Sequence, residues 1–375
     1  MATAVPASTA FSPSEELFPL GEHRQSTRLR QALSELGSDS EFRDGVAPLR
    51  TLGVLTSFKT LERVSETVGG EVLAERHGAE ALAHSTDEHP AQPAELLVVQ
   101  ADAVKIRYRL TKEEKAQQAQ LPEEERDRGW HECKVGVVAR CLPGHFKRNG
   151  EYEEPQTLTQ SYVASFDDIK LFGPYLHAES ERRGLHQAKR VWCLSDAGHG
   201  LPGMWAEQFP ALEWGIDFTH VSQRLAECAA QVQPPGKEYH KLRHRWKGLL
   251  HDGKRDKLLR ELCAAAERHA PRPAAAADLP PNSPGRILWT HINYIEEYQA
   301  HMDYPRYKKQ GLPIGSGHAE AACKRLGVRM KAANKRWTPE GAEAMATLIC
   351  ERASEDGRWQ RRWPPPDYED FVQLN

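Results

Sequence analysis

The sequence predicts an α/β protein: a mixed-sheet core interrupted late by an all-helical insertion and preceded by an N-terminal helical region. Three observations carry this. Val104, Ile106 and Tyr108 alternate with Lys105, Arg107 and Arg109, the period-2 pattern of a strand. Two short apolar runs, "RVWCLSDAG" and "LEWGIDFTHVSQRL", read as strand-like steps, the second running straight into a helix. Residues 235–300 then read as helix throughout, apart from the break "PRPAAAADLPPNSPG".

The elements follow in order. Residues 1–20 are rich in Ala, Ser and Pro and predict a disordered tail. Residues 21–92 predict helices. "TRLRQALSEL" carries apolar residues at 29, 32, 33 and 36. In "FRDGVAPLRTLGVLTSFKTLERVSETVGG", Gly53 marks a turn, Ser57 opens a helix, and Phe58, Leu61, Val64 and Val68 share its apolar face. Helix, turn, helix is the outline of a DNA-binding motif and equally of a plain helical hairpin. The core's first part spans 93–232. "ELLVVQADAVKIRYRL" predicts one long strand or two meeting at a bend. A charged insert and the strand "HECKVGVVARCL" come next. An acidic loop at "EYEEPQ" and a helix near 164–185 follow. The insertion spans 233–312, the last core helices 313–363 and a tail 364–375.

With 39% hydrophobic residues and a mean hydropathy of −0.66, the chain reads as polar and soluble. No apolar run approaches the roughly 20 residues a membrane span needs. The N-terminus lacks the basic-then-apolar layout of a secretory signal, so a cytoplasmic protein is expected. The seven cysteines have no C-x-x-C spacing, which argues against both a zinc knuckle and a disulfide framework. The net charge of −3 hides a segregation. Residues 237–260 carry nine bases and three acids, and residues 321–363 ten bases and five acids. Such a layout suits either a polyanion-facing side or ordinary solvated helix faces.

Three acids stand out. Asp102 follows "LLVVQA", with Gln100 and Val104 as its period-2 neighbours, and an acid in that apolar context needs a partner. Asp196 ends the apolar "VWCLS", where the carboxyl edge of a strand opens into a loop. Glu320 lies among Lys324, Arg325, Arg329 and Lys331 after the turn "GSG". Each alone reads as a cap or a salt-bridge partner. If the three met, a pair at about 4 Å would repel by on the order of 4 kcal/mol at an effective dielectric near 20, so the site would need cations. Hard oxygen donors favour Mg²⁺ or Mn²⁺. In "DFTH", Asp217 and His220 share one face at a helix start, either as cap and neighbour or as part of a polar site. Lys324 and Lys331 lie four and eleven positions beyond Glu320, where they can face phosphates; Arg329 and Arg336 are further candidates. Trp337 reads equally as a base-stacking residue or a core anchor, and Ser316 as the cap of the Glu320 helix.

The set "SDAG", "IDFTHVSQRL", "GLPIGSGHAEAACK", "RMKAANKRW" and "GRWQRRW" resembles insertion-sequence transposases of the DDE type, close to the ISKra-type group, over roughly residues 25–363. The resemblance implies an RNase H-like core whose Asp, Asp, Glu triad falls on Asp102, Asp196 and Glu320. It implies two Mg²⁺ (or Mn²⁺) ions on those acids, and an accessory element at Asp217 and His220. The implied reaction is metal-dependent cleavage of DNA at the element's ends followed by transfer of the 3′-OH to target DNA. Terminal inverted repeats, target DNA and a second copy of the chain are the implied partners. A structure-specific nuclease that joins nothing, or a retired transposase that only binds DNA, remains the alternative.

Overall fold

The computed structural model describes residues 25–77, 92–126, 128–198, 200–332 and 335–364. The predicted tail 1–20, the residues from 365 onward and Asn334 lie outside them. At its centre is β1, Leu96–Arg107, a single twelve-residue strand rather than two meeting at a bend. β2, Trp130–Leu142, pairs with it antiparallel. A small ribbon, β3 (His145–Phe146) with β4 (Tyr152–Glu153), stands where the sequence suggested only an acidic loop. β5, Gln156–Ser165, pairs antiparallel with β2, while β6, Val191–Ser195, and β7, Trp214–Ile216, add on in parallel beyond β1. The order is β5-β2-β1-β6-β7, a five-stranded mixed sheet.

The helices run in chain order as α1 Thr27–Asp39, α2 Phe42–Thr51, α3 Phe58–His77 and α4 Lys112–Ala119. α5 Ile169–Arg182 and α6 Leu201–Gln208 follow within the core. Next come α7 Phe218–Val232, α8 Lys237–His251, α9 Arg255–Glu267, α10 Pro284–Tyr298 and α11 Tyr304–Lys309. α12 Gly317–Met330, α13 Pro339–Ala353 and α14 Arg358–Arg362 close the chain. α4 lies inside the charged insert, started by a capping box between Thr111 and Glu114. The Ala/Pro break is ordered around a short 3₁₀ turn, Ala276–Asp278. None of the described helices is long and apolar enough to cross a membrane.

Strand periodicity decides where the site falls. The odd residues of β1, Leu97, Val99 and Ala101, pack with Phe172, Leu176, Leu201 and Trp205 of α5 and α6. On the even face, Leu96 and Val98 join a cluster with Trp192, Ile216, Trp246, Leu250 and Trp289, which seats the helices after α7 on the sheet. At the other end Ile106 joins Val64, Val68, Leu326 and Met345. Between these two apolar clusters the even face presents Gln100 and Asp102, so the polar residues of β1 occupy a seam.

The N-terminal helices close one side of that face. Gly53 takes a φ of 78° in the turn before α3, and Ser57 Oγ accepts from Thr60 N–H at 3.1 Å. Leu61, Val64 and Val68 are buried, and α3 lies across α13. The two backbones touch: a Cβ on Gly69 would lie 2.0 Å from the Ala344 carbonyl oxygen. Gly69→Ala must therefore push two helices apart. We expect a loss of about 3 kcal/mol in denaturant unfolding, whereas the same change at Gly70, which faces open space, should be neutral or stabilising.

Candidate active site

Asp102 and Asp196 come together through strand register. In the parallel ladder Val99 pairs with Cys193 and Ala101 with Ser195, so the next residue along each chain is an aspartate. In-register neighbours on parallel strands project to the same face about 4.8 Å apart. β6 ends at Ser195, and beyond it the freed edge of β1 opens into a cavity of about 220 Å³. Asp102, Asp196, His220, Lys105, Glu132 and Lys134 line it. Asp102 Oδ1 accepts from the Ala103 N–H at 2.7 Å. Asp196 Oδ1 accepts from the Gly198 N–H at 3.1 Å, and a Cβ on Gly198 would sit 2.9 Å from Asp196 Oδ2. Glycine at 198 lets this loop fold back over its own carboxylate.

Burial pushes the Asp102 carboxyl above its ordinary value. The Ala103 hydrogen bond and the charge of His220 oppose that shift, Asp196 adds to it, and a bond with Cys323 again lowers it. Two acids share this half-buried cavity with Lys105, Lys134 and His220, and the raised pKa of Asp102 marks a place where a further cation would be favoured.

α12 is brought to this face by a match of two repeats. Four helix residues rise about 6 Å and two strand residues about 6.6 Å. Gln100 accepts from the Ala319 N–H at 3.1 Å and donates to the Gly315 carbonyl at 3.3 Å. Asp102 bonds Cys323, and Val104 lies 3.9 Å from where a Gly327 Cβ would be. Positions 100, 102 and 104 thus meet 319, 323 and 327. Glu320 stands one residue off that contact line. It is exposed and lines a neighbouring cavity of about 460 Å³ with Phe218, Thr219, Gly315 and His318. It does not line the cavity of the two aspartates. Its link to them runs through Cys323, one turn on, and through His220.

His220 joins the two sides. It lines the Asp102–Asp196 cavity, and it shares a second cluster in which Asp217, His220 and Glu320 each offer a ligand atom within 4.8 Å of the others. That spacing can hold a divalent ion. Asp217 itself is fully buried and its oxygens are already taken. Oδ1 accepts from the Thr219 N–H and from the His220 N–H at 3.3 Å, capping α7. Oδ2 accepts from the Ser316 N–H at 2.7 Å and from the Ser316 hydroxyl. Four donors saturate a carboxylate, so Asp217 acts as the staple that holds the first turn of α12 against α7 and leaves His220 and Glu320 as free donors. Ser316 consequently makes no side-chain cap on α12: its hydroxyl goes to Asp217, a stronger, charged acceptor.

Two other expectations need correction. Arg329 is 5% exposed; its Nε donates to the Gly37 carbonyl at 2.7 Å and its guanidinium lies over Phe42 and Trp337. Burial pushes it down to about 10. It ties α12 to α1 and faces no polyanion. Trp337 is 6% exposed, and its Nε1 donates to the Met330 carbonyl at 3.0 Å. It is a core anchor, and its ring is covered and unable to stack on a base. Lys324, Lys331 and Arg336 are exposed, and Lys331 Nζ hovers 5.4 Å from the Trp130 ring.

Sequence reasoning missed Gln100 as the α12 clamp, although a buried amide inside an apolar strand is the signal that would have found it. It also passed over Arg224, one turn beyond His220.

No protein-family model matches the sequence, and no curated protein matches it. Among solved structures, the chain is similar to the Drosophila P element transposase strand transfer complex at 10% identity and a TM-score of 0.38, over 91% of this chain and 98% of that chain. A likeness that distant says nothing about the chemistry of this chain.

Proposed function

We propose that this chain is a DDE-type transposase of an insertion sequence, with an RNase H-like core that cuts DNA at the element's ends and transfers the 3′-OH to a target strand. The observation that supports it best is the β1–β6 register, which sets Asp102 and Asp196 side by side, with Glu320 in the neighbouring cavity and His220 between the two. The sequence motifs around Asp196 and Glu320 resemble those of that family. Carboxylate oxygens crowded in a half-buried cavity, with one acid's pKa already raised, fit Mg²⁺ or Mn²⁺. Bound there, two such ions would supply Lewis-acid stabilisation of the attacking and leaving oxygens.

The chain's own groups have separable tasks. Asp102, Asp196 and Glu320 hold the ions. The Ala103 and Gly198 N–H groups aim the two aspartates, and Asp217 fixes the turn that carries Glu320. Lys324, Lys331 and Arg336, all exposed, meet phosphates. Helices α2 and α3 read the terminal inverted repeats, and the basic face of α8 holds the backbone. Synapsis of two ends requires a second copy of the chain.

The test uses the purified chain and labelled duplex taken from the DNA flanking its gene. Asp196→Asn and Glu320→Gln should each lower Mg²⁺-dependent nicking by at least about a thousandfold, as expected when charge stabilisation at the reacting centre is lost, while binding of the duplex survives. Nicking retained by either variant removes that residue from the triad. Cut ends without joined products would instead identify a nuclease.

A further inference from the structure

The helices inserted after α7 do more than present positive charge; one of them, α10, holds an arginine of α7 and bonds through Tyr294 to the loop that carries Asp196. Arg224 lies on α7 one turn beyond His220 and is half-buried. Its guanidinium carbon lies over the Tyr294 ring of α10, 3.8 Å from the centroid. Its Nη1 lies 3.4 Å from Nδ1 of His291, also on α10, and His291 Nε2 lies 2.8 Å from Glu227 Oε2. His291 is buried, and burial lowers its pKa. In the neutral ring, Nε2–H donates to Glu227 and Nδ1 accepts from Arg224. Glu227 is thereby engaged by the imidazole, and no carboxylate among the described residues forms an ion pair with Arg224.

The stack is tied to the site at its other end. The Tyr294 hydroxyl accepts from the Ala197 N–H at 3.3 Å, in the loop that carries Asp196, and the Tyr294 phenol feels the charges of both Arg224 and Asp196. A half-buried guanidinium held over a ring and beside an imidazole, with no carboxylate in an ion pair among the described residues, keeps donors open to an anion. A guanidinium held in this way presents a fork suited to phosphate oxygens.

We propose that Arg224 binds a phosphate of the DNA strand lying at the Asp102–Asp196 cavity, and that Tyr294 and His291 of the insertion orient it. This rests on the DNA-cleavage reading. It gives the insertion a role in positioning the substrate and not only in gripping the backbone.

The experiment measures binding, so it does not depend on cleavage. The full chain is titrated in Ca²⁺ against a set of fluorescein-labelled duplexes from the DNA flanking its gene, each carrying one uncharged methylphosphonate linkage, moved stepwise along the strand. The wild-type chain should lose about tenfold in affinity when one particular linkage is neutralised, the loss expected for a charge-assisted pair. Arg224→Gln should bind the unmodified duplex about tenfold more weakly and show no further loss at that linkage. Tyr294→Leu should shift the same way, with the thermal midpoint of each variant checked against wild type. Unchanged sensitivity at every linkage in Arg224→Gln overturns the proposal while leaving the cleavage reading intact. Wild-type affinity that ignores every neutralised linkage overturns it as well. Undiminished nicking by Asp196→Asn would instead remove Asp196 from the triad, and a wild-type chain that nicks nothing would remove the cleavage reading, while a linkage-specific loss of binding would still establish Arg224 as a phosphate contact.

Discussion

Asp102→Asn should make the metal-free chain more stable at neutral pH, while abolishing both its stabilisation by Mg²⁺ and its cleavage of DNA. The direction comes from the raised pKa, whose largest cause is burial. A carboxyl whose folded value exceeds its unfolded value favours the fold only while protonated. That contribution is complete below the ordinary aspartate value near 3.8, and it is lost as the pH climbs through the folded value. At pH 7 the wild-type chain therefore carries a half-buried charge crowded by Asp196, which Lys105, Lys134 and His220 of the same cavity offset only in part, and the amide does not. The two thermal midpoints should converge in acid and separate above it, with the variant higher. Mg²⁺ reverses the ranking. An ion at a hundred times its dissociation constant stabilises the wild-type fold by about 2.7 kcal/mol. The amide, lacking a charged donor, should gain far less. Melting curves with and without Mg²⁺ at several pH values check this. Equal Mg²⁺ shifts in the two proteins would remove Asp102 from the metal site.

The sequence shows the parts of this arrangement more clearly than their meeting. β1 announces itself by alternation, and Asp102 by its conflict with an apolar run. Asp217 and His220 are legible because cap and partner lie three residues apart. What brings Asp102 to Asp196 is a ladder register between strands far apart in the chain, and register is fixed by packing on both faces of the sheet. Nothing local encodes it. The errors have the same origin. Arg329 and Trp337 look like DNA contacts because the surrounding sequence is basic, yet Phe42 and the Gly37 carbonyl arrive from the N-terminal helices and cover them. Ser316 looks like a cap by its neighbours, and Asp217, distant in sequence, takes its hydroxyl. Local pattern gives the element; the partner that claims a polar side chain comes from elsewhere.

Asp217→Ala should cost stability and activity together, in the absence of any metal. The carboxylate takes four hydrogen bonds, two from the first turn of α7 and two from Ser316, at a position with no exposure to water. Truncation leaves those N–H groups without acceptors and strips the α7 N-terminus of its anion. At about 1–3 kcal/mol for each buried donor left unmade, the loss is on the order of 3–6 kcal/mol. Asp217→Asn keeps the shape but turns one oxygen into a donor. If the amide nitrogen faces Ser316, the hydroxyl can reverse and accept, but the Ser316 N–H cannot. If it faces α7, both N–H groups there meet a donor. Either way at least one backbone donor is orphaned, so the asparagine variant should also be destabilised, by less than alanine. Activity should fall in both because the turn carrying Glu320 is no longer pinned beside His220. A metal ligand would behave differently: like Asp102, its loss would leave the metal-free melting point unchanged or raised and would remove the stabilisation by Mg²⁺. Denaturant unfolding in EDTA separates the two roles. An Asp217→Ala chain as stable as wild type without metal would show that the carboxylate staples nothing.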